Sequence, residues 1–350
     1  MRAAGVFIGD DSVTCIELSA SRFGTKIKTF CREPLYSGSV HNGHIVKPDD
    51  VTLALGRVKE KYSFEFIRAA IPEDLSFVVP MRVPAGNYEE TSQYITEHVE
   101  EYVPLDVNEI VSDYFFSNSH LIDNVSKHND VVVSAVSKKI ATEYSEIFLG
   151  VGMTPLSFEV DVQAIARAVV PRDEQGTVMC VDVRKGRTAL FIVSGGVARF
   201  STSVPYGEEF FEQRLSEYAD LSAKAVHEVK KTQDISMSFY KDAARKALRE
   251  LAVELGKHTE ELLLYWKTHQ LSDSILPPEH IFISGQFIAW SGVFEHIAEK
   301  MPLPSFRADP WTNVFFQSGN VPQVSARDKL NYTTAIGLAL ASIDDDTITL

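Results

Sequence analysis

No stretch of this sequence reaches the run of about 18 uncharged apolar residues that a membrane-crossing helix requires. Cysteine is scarce, with Cys15, Cys31 and Cys180 the three in 350 residues. They lie far apart in apolar stretches, without the close pairing of a metal site, and an odd count argues against a disulfide framework. The expectation is three small core residues in a reducing compartment. Positive charge is short as well, 34 Lys and Arg against 48 Asp and Glu, for a net charge of −14. That balance argues against nucleic acid as a partner and gives no unaided grip on an anionic membrane. The opening MRAAGVFIGDD meets two aspartates after a few apolar residues, which does not make a secretion signal. A soluble, cytoplasmic protein is expected. The sequence shows no serine–histidine–acid set and no metal-ligand cluster. Among its ten histidines, His41 and His44 come nearest to a pair, in a loop read as solvated.

Apolar material is ample, at 45% of residues, in a length that suits two lobes better than one core. Three strands open the chain. Val6-Phe7-Ile8 runs into the turn Gly9-Asp10-Asp11, Val13 to Leu18 is rich in β-branched residues, and Lys26 to Cys31 follows Phe23-Gly24. Val51, Leu55 and Val58 recur at helical spacing within Asp49 to Tyr62. Strands are predicted at Ile67 to Ile71 and at Leu75 to Val83, the second broken by Pro80.

From Ala85 to Phe158 the pattern becomes helix, strand, strand, helix: Tyr88 to Tyr102, Ile110 to Ser117, Asp130 to Val136 and Lys138 to Leu149, with a polar loop at His120 to Asn129. This is the make-up of a small inserted subdomain. The opening then recurs in outline. Val178 to Val183 carries Asp182 and leads into Arg184-Lys185-Gly186, and Thr188 to Val193 and Val197 to Val204 complete a second meander about 170 residues after the first. Such repetition marks duplicated architecture. Glu208 to His269 is predicted almost wholly helical, Ile281 to Ser284 a strand into Gly285, and Ile288 to Met301 a helix. Thr333 to Ser342 closes the chain as a helix before an acidic, frayed end, Asp344 to Leu350.

Two meanders, each heading a lobe, with a helical insert in the second, form the plan of the actin-like ATPases. Within that superfamily, segments spread in order over nearly the whole chain resemble the PilM family of type IV pilus assembly proteins. They are Gly43-His44-Ile45; Ala70-Ile71-Pro72; Tyr102-Val103-Pro104-Leu105-Asp106 ahead of Val111-Ser112-Asp113-Tyr114; Ser134 to Lys139; Gly152-Met153 with Val160-Asp161; Ile283-Ser284-Gly285; Asp309-Pro310; and Ala335 to Leu340. The resemblance implies an α/β protein of actin-like ATPase fold, two ribonuclease H-like lobes with an FtsA-type inserted subdomain. By this resemblance residues 1–84, with helix 333–343 returning to them, form the first lobe, and 85–158 the inserted subdomain. Residues 159–207 and 276–332 form the second lobe, and 208–275 its helical subdomain.

The resemblance also implies a nucleotide cleft between two phosphate-binding turns, where glycines let backbone N–H groups approach phosphate. The family's first turn begins with an aspartate that serves the metal. Here that position is Phe7, followed by Ile8-Gly9-Asp10-Asp11-Ser12, so two carboxylates stand where a serine would cup phosphate. The second turn keeps Asp182 but carries Arg184 and Lys185 after it. By the same resemblance Gly207, Gly285, Gly337 and, on the helical insert, Lys230 beside Glu228 belong to the cleft. The implied site (Gly9, Asp10, Asp11, Ser12, Asp182, Gly207, Lys230, Gly285 and Gly337) is vestigial. No catalytic residue, resident metal or cofactor is expected, with weak binding of ATP and magnesium as the alternative.

For partners, the resemblance implies a place at the cytoplasmic face of the inner membrane, reached only through other proteins. There the inserted subdomain would hold the short N-terminal tail of a PilN-like membrane protein. Tail capture needs an apolar groove or an open strand edge, and Tyr102, Val103, Val111, Tyr114, Phe115 and Phe116 are the candidates. Pilus motor ATPases, the platform protein and self-association are further partners compatible with the family. The competing readings are a working ATPase, an FtsA-like division protein and the cytoplasmic part of a type II secretion protein. The first lacks the carboxylate at Phe7, the second a basic amphipathic tail, and the third a membrane span.

Overall fold

The computed structural model describes residues 3–21, 24–116, 128–234, 240–269, 276–316, 324–325 and 328–348. Residues 120–127 of the polar loop expected at His120 to Asn129, Phe23 of the first turn, Ser117 at the end of its predicted strand and the last two residues lie outside them.

The opening folds as predicted into an antiparallel meander, β1 (Ala4–Ile8), β2 (Ser12–Ser21) and β3 (Gly24–Pro34). A short hairpin of β4 (Val40–His41) and β5 (His44–Ile45) leads to α1 (Pro48–Tyr62). Pro48 in its first turn, Asp49 and Asp50 beside it and Lys59 and Lys61 at its end suit a helix dipole, while Val51, Ala54, Leu55 and Val58 are buried. β6 (Phe66–Ile71) then returns parallel to β1.

Next comes a separate three-stranded sheet, β7 (Ser76–Pro84), β8 (Ile110–Phe116) and β9 (His128–Ser137), in the order β7-β9-β8. Pro80 does not break β7. It pairs with Val132 on a strand bonded to one neighbour, the sheet position where proline is tolerated. One face of the sheet is covered by α2 (Tyr88–His98), which starts on a capping box between Asn87 and Glu90. α3 (Lys138–Gly150) follows β9, and its buried Tyr144, Ile147 and Phe148 join the core of the first lobe. β10 (Thr154–Val160) then pairs parallel to β6, completing a first sheet of order β10-β6-β1-β2-β3.

Helix α4 (Asp161–Val169) leads to the second meander, β11 (Thr177–Val183), β12 (Thr188–Ser194) and β13 (Val197–Val204). Every residue of β11 is buried, as a strand with neighbours on both edges and layers on both faces requires. The helical stretch divides into α5 (Glu208–Ala219), α6 (Ala223–Thr232) and α7 (Lys241–His269). β14 (Ile281–Ser284) and β15 (Ser305–Arg307) add parallel to β11, and the second sheet reads β13-β12-β11-β14-β15. Written from its third strand, the first sheet has the same order, so the duplication read from the two meanders extends to all five strands of each sheet.

Four expectations need correction. Cys15 and Cys31 are not free core thiols: they are direct partners across β2 and β3, 5.1 Å apart at Cα, and form a disulfide, leaving Cys180 buried and free. The register of two neighbouring strands, invisible in a count of cysteines, made the pair. The helix expected at Ile288 to Met301 is a 3-10 turn at Gln286–Ala289 followed by α8 (Val293–Ala298), because Gly292 takes a positive φ of 87° between them. The closing helix, α9 (Thr333–Ile348), runs beyond Ser342 and takes up much of the end expected to fray. Finally, β7 pairs within the three-stranded sheet and β10 within the first sheet, whereas the sequence borders grouped β7 with the first lobe and most of β10 with the insert.

The two sheets are joined through α4 and α9. A Cβ on Gly337 of α9 would fall 1.8 Å from the carbonyl oxygen of Ala164 on α4, and one on Gly5 of β1 would fall 2.2 Å from that of Ala335. Glycine at each position lets the backbones close. The surrounding core runs from Ile16 of β2 through Ile165 and Ile336 to Phe191 of β12.

Candidate functional site

A narrow cleft of about 90 Å³ lies between the sheets, lined by the turn after β1, the residues after β6, the turn after β11, Gly285-Gln286 and the start of α9. The carboxyl ends of β1, β6, β11 and β14 converge here, the side of an open α/β sheet where ligands bind. The structure brings Gly9, Asp10, Asp11, Ser12, Asp182 and Gly285 together as cleft lining. Phe7 lines it too, and its ring packs with Ala70, Ala164 and Leu338, so an apolar group stands where the resemblance expects a metal-serving carboxylate.

The acidic first turn does not face the cleft as two bare charges. The carboxylate of Asp10 accepts hydrogen bonds from the backbone N–H groups of Asn42 and Gly43, both at 3.2 Å, and so clamps the β4–β5 hairpin. Tyr144, wholly buried, donates to the carbonyl of Gly43 at 2.7 Å from the other side. Asp11 reaches across the cleft to Lys185 Nζ at 2.9 Å. Ser12 Oγ accepts from Arg32 Nε at 2.9 Å, which turns it towards β3.

On the opposite wall, Arg184, Lys185 and Arg187 occupy a single turn between β11 and β12, and each cation has a carboxylate. Arg184 pairs with Asp182 and with Asp161, both at 2.7 Å, and Arg187 pairs with Asp74 at 2.9 Å. Asp161, at the start of α4, is fully buried and also accepts the N–H of Glu73 at 2.9 Å. Burial pushes its carboxyl up to about 6, while Arg184 pulls it back towards ionisation. Glu73, buried next to Asp74 and Asp161, is pushed up to about 7, first by burial and then by those carboxylates. Sequence reasoning did not select Asp74, Asp161, Glu73 or Arg187. The available signal was charge directly after apolar parallel strands: Glu73-Asp74 after β6, Asp161 after β10 and Arg187 in the turn after β11.

The remaining predicted residues do not line this cleft, but Lys230 lines a neighbouring cavity of about 260 Å³ that shares Asp11, Gln286 and Asn331 with it. Lys230 holds Glu208 at 2.8 Å and also Glu212, and Glu208 is pushed up to about 7, chiefly by burial. Gly207 backs the Arg184–Arg187 turn, since a Cβ there would fall 2.5 Å from the Arg184 carbonyl oxygen. Gly337 is corrected: it marks the α4–α9 crossing, which the small-residue run around it requires for packing, and is no part of the cleft lining. Among the described residues no group of His, Cys, Asp or Glu has the arrangement of a metal site.

Of the six candidates for tail capture, Val103 is buried in the subdomain core and Phe115 packs against the core between the sheets. Tyr102, Val111 and Phe116 are exposed by 43%, 46% and 39%. Alternation along β8 puts Val111 and Phe115 on one face and Tyr114 and Phe116 on the other. Tyr114 stacks on Tyr88 at 5.2 Å between ring centroids and meets Phe116 edge-on at 5.7 Å. Its hydroxyl donates to the Tyr88 carbonyl at 3.0 Å. Tyr88, 64% exposed, therefore completes an aromatic patch beside β8, an edge strand of its sheet.

Twin sheets of one order, helices crossing between them and a cleft at the strand ends define an actin-like ATPase fold. Solved structures of that class align over almost the whole chain: the ethanolamine utilization protein EutJ from Carboxydothermus hydrogenoformans at a TM-score of 0.53 and 13% identity, covering 97% of this chain and 89% of its own, and MreB5 of Spiroplasma citri bound to ADP at 0.54 and 12%, covering 99% and 97%. A structure described as a PilM–PilN type IV pilus biogenesis complex aligns at 0.79 and 19% identity, covering 98% of this chain and 99% of the other. The chain belongs to the PilM family of type IV pilus assembly proteins, whose family model matches residues 5–343.

Proposed function

We propose that this type IV pilus assembly protein works as a scaffold, holding the N-terminal tail of a PilN-like membrane protein and no longer turning over nucleotide. The observation that carries the tail-binding part is the exposed aromatic patch of Tyr88, Tyr114 and Phe116 beside the edge strand β8. An extended tail adding to β8 would gain main-chain hydrogen bonds and apolar pockets together. The relative whose structure is that of a PilM–PilN complex supports the choice of partner. Within this reading the inserted subdomain is the docking module between the two lobes. The protein sits at the cytoplasmic face of the inner membrane because its partner is anchored there. No helix among the described residues is long and apolar enough to cross a membrane. Motor ATPases, the platform protein and further copies of the chain are the remaining contacts of such a scaffold.

The spent-cleft part rests on Phe7 and on the carboxylates already bound to Arg184, Lys185 and Arg187. These leave the turn no uncompensated cation for a triphosphate. Capture of the PilN-like tail peptide by purified protein tests the tail reading. Phe116→Asp together with Tyr88→Ser is expected to weaken capture at least tenfold with the fold intact by circular dichroism, and unchanged capture would overturn the patch. Calorimetry with magnesium-ATP is expected to show no binding at micromolar concentrations.

A further inference from the structure

The Arg184–Arg187 turn crosses to the first lobe. A Cβ on Gly186 would fall 2.3 Å from Asn42 Oδ1, so the turn rests against the β4–β5 hairpin. Three of its ion pairs join different sheets or their connections. Lys185 meets Asp11 from the β1–β2 turn, Arg187 meets Asp74 from the segment after β6, and Arg184 meets Asp161 at the start of α4, directly after β10. The partners Asp161 and Asp74 are 0% and 8% exposed at their side chains, so salt screens these two pairs little. The lobes also meet through α4 and α9, through β13 against β7 and the segment after β6, and through a bridge between Thr25 of β3 and Phe316.

We propose that the cleft is liganded by the chain itself: Asp11, Asp74 and Asp161 stand in for an anionic ligand on the Arg184–Arg187 turn and latch the two lobes closed without nucleotide. A carboxylate offers these cations the same charge-assisted hydrogen bonds as a phosphate oxygen. Because Asp11 and Asp74 are covalently part of the first lobe, and Asp161 of the helix that joins the lobes, the bridge they form needs no diffusing ligand. A protein that uses a ligand to close must lose closure when the ligand leaves. This one keeps its two lobes, and the subdomain carried on the first, in a fixed relation at every nucleotide concentration. The inference rests on the ion pairs and stands apart from the identity of the tail.

Spin labels on exposed cysteines at Glu60→Cys of α1 and Glu260→Cys of α7 report the separation of the lobes by pulsed electron resonance, the native thiols being paired or buried. One narrow distance is expected for the otherwise unaltered protein, the same with and without magnesium-ATP. Asp11→Asn with Asp74→Asn is expected to broaden it and lengthen its mean. The charge exchange Asp11→Lys with Lys185→Asp restores one of the bridges and is expected to stay narrow, whereas Asp11→Lys alone broadens. A narrow, unshifted distance in both Asp11→Asn/Asp74→Asn and Asp11→Lys would overturn the latch. So would a broad distance in the unaltered protein that magnesium-ATP narrows. Tail capture is read separately, so it can fail while the latch stands, and the reverse.

Discussion

Phe7 stands one residue before the end of β1, where the resemblance read from the sequence expects a carboxylate, and its ring is held by Ala70, Ala164 and Leu338. Restoring a carboxylate there does not rebuild the site, because the cations opposite remain engaged by Asp11, Asp74 and Asp161. Phe7→Asp is therefore expected to show no magnesium-ATP binding by calorimetry. It is also expected to lose about 2–4 kcal/mol of stability through the lost packing and a half-buried charge. Micromolar binding in this variant would show that Phe7 alone disables the cleft. Glu73 offers a second test. Its carboxyl is raised from 4.5 in the unfolded reference to about 7 in the folded protein. The folded state thus binds the proton more tightly, so stability is greatest below the lower value and falls as pH rises through the higher one. The penalty at pH 8 is about 3 kcal/mol as an upper bound. Glu73→Gln removes it, so Tm is expected to rise at pH 8, by about 2–4 °C per kcal/mol recovered, and to change little at pH 4. An equal shift at both pH values would contradict the assignment.

At the scale of elements, the pairing of β2 with β3 sets Cys15 against Cys31. Alkylating the unfolded, unreduced protein is expected to label one thiol, Cys180, and prior reduction to raise the count to three. Closing a loop with a sequence separation of 16 residues is worth about 3 kcal/mol in the chain-entropy account. Reductant is expected to lower Tm accordingly, with three thiols labelled before reduction as the result against it. The α4–α9 crossing is the other pressure point. Gly337→Ala puts a methyl group on the Ala164 carbonyl and is expected to cost about 3 kcal/mol or more, read by denaturant unfolding. The same change at Gly56, where a Cβ meets nothing within 4 Å, is expected to be neutral or stabilising.

Across the whole molecule, what could be read from the sequence was what local pattern encodes. The meanders, the apolar faces of α1 and α3 and the turns at Gly9 and Gly285 follow from alternation, helical spacing and glycine. The equal strand order of the sheets did not, because β10 and β15 join by parallel pairing over long separations. The candidate cleft divides in the same way. Asp11 and Arg184 lie in recognisable turns and Asp182 just before one, whereas Asp74 and Arg187 become cleft residues, and Asp161 the buried partner of Arg184, only once four strand ends converge. The tail candidates show the limit most clearly, since Val103 and Tyr102 are neighbours with opposite exposure. Deleting 85–158 would remove β10's first five residues along with the insert, so the informative deletion is narrower. Replacing 86–136, with β7's partner β9 removed, is expected to abolish tail capture and to leave a protein of lower Tm. Retained capture would place the tail elsewhere.

The seating of α9 against β1 has a consequence in time. A ribosome delivers β1 long before α9, yet the carbonyl of Ala335 lies where a Cβ of Gly5 would be. Until more than three hundred further residues have been made, the first strands lack the helix that covers them, and β6 waits for β10. Contacts of such long sequence separation slow folding. The first strands therefore depend on temporary packing or chaperones until α9 has been made.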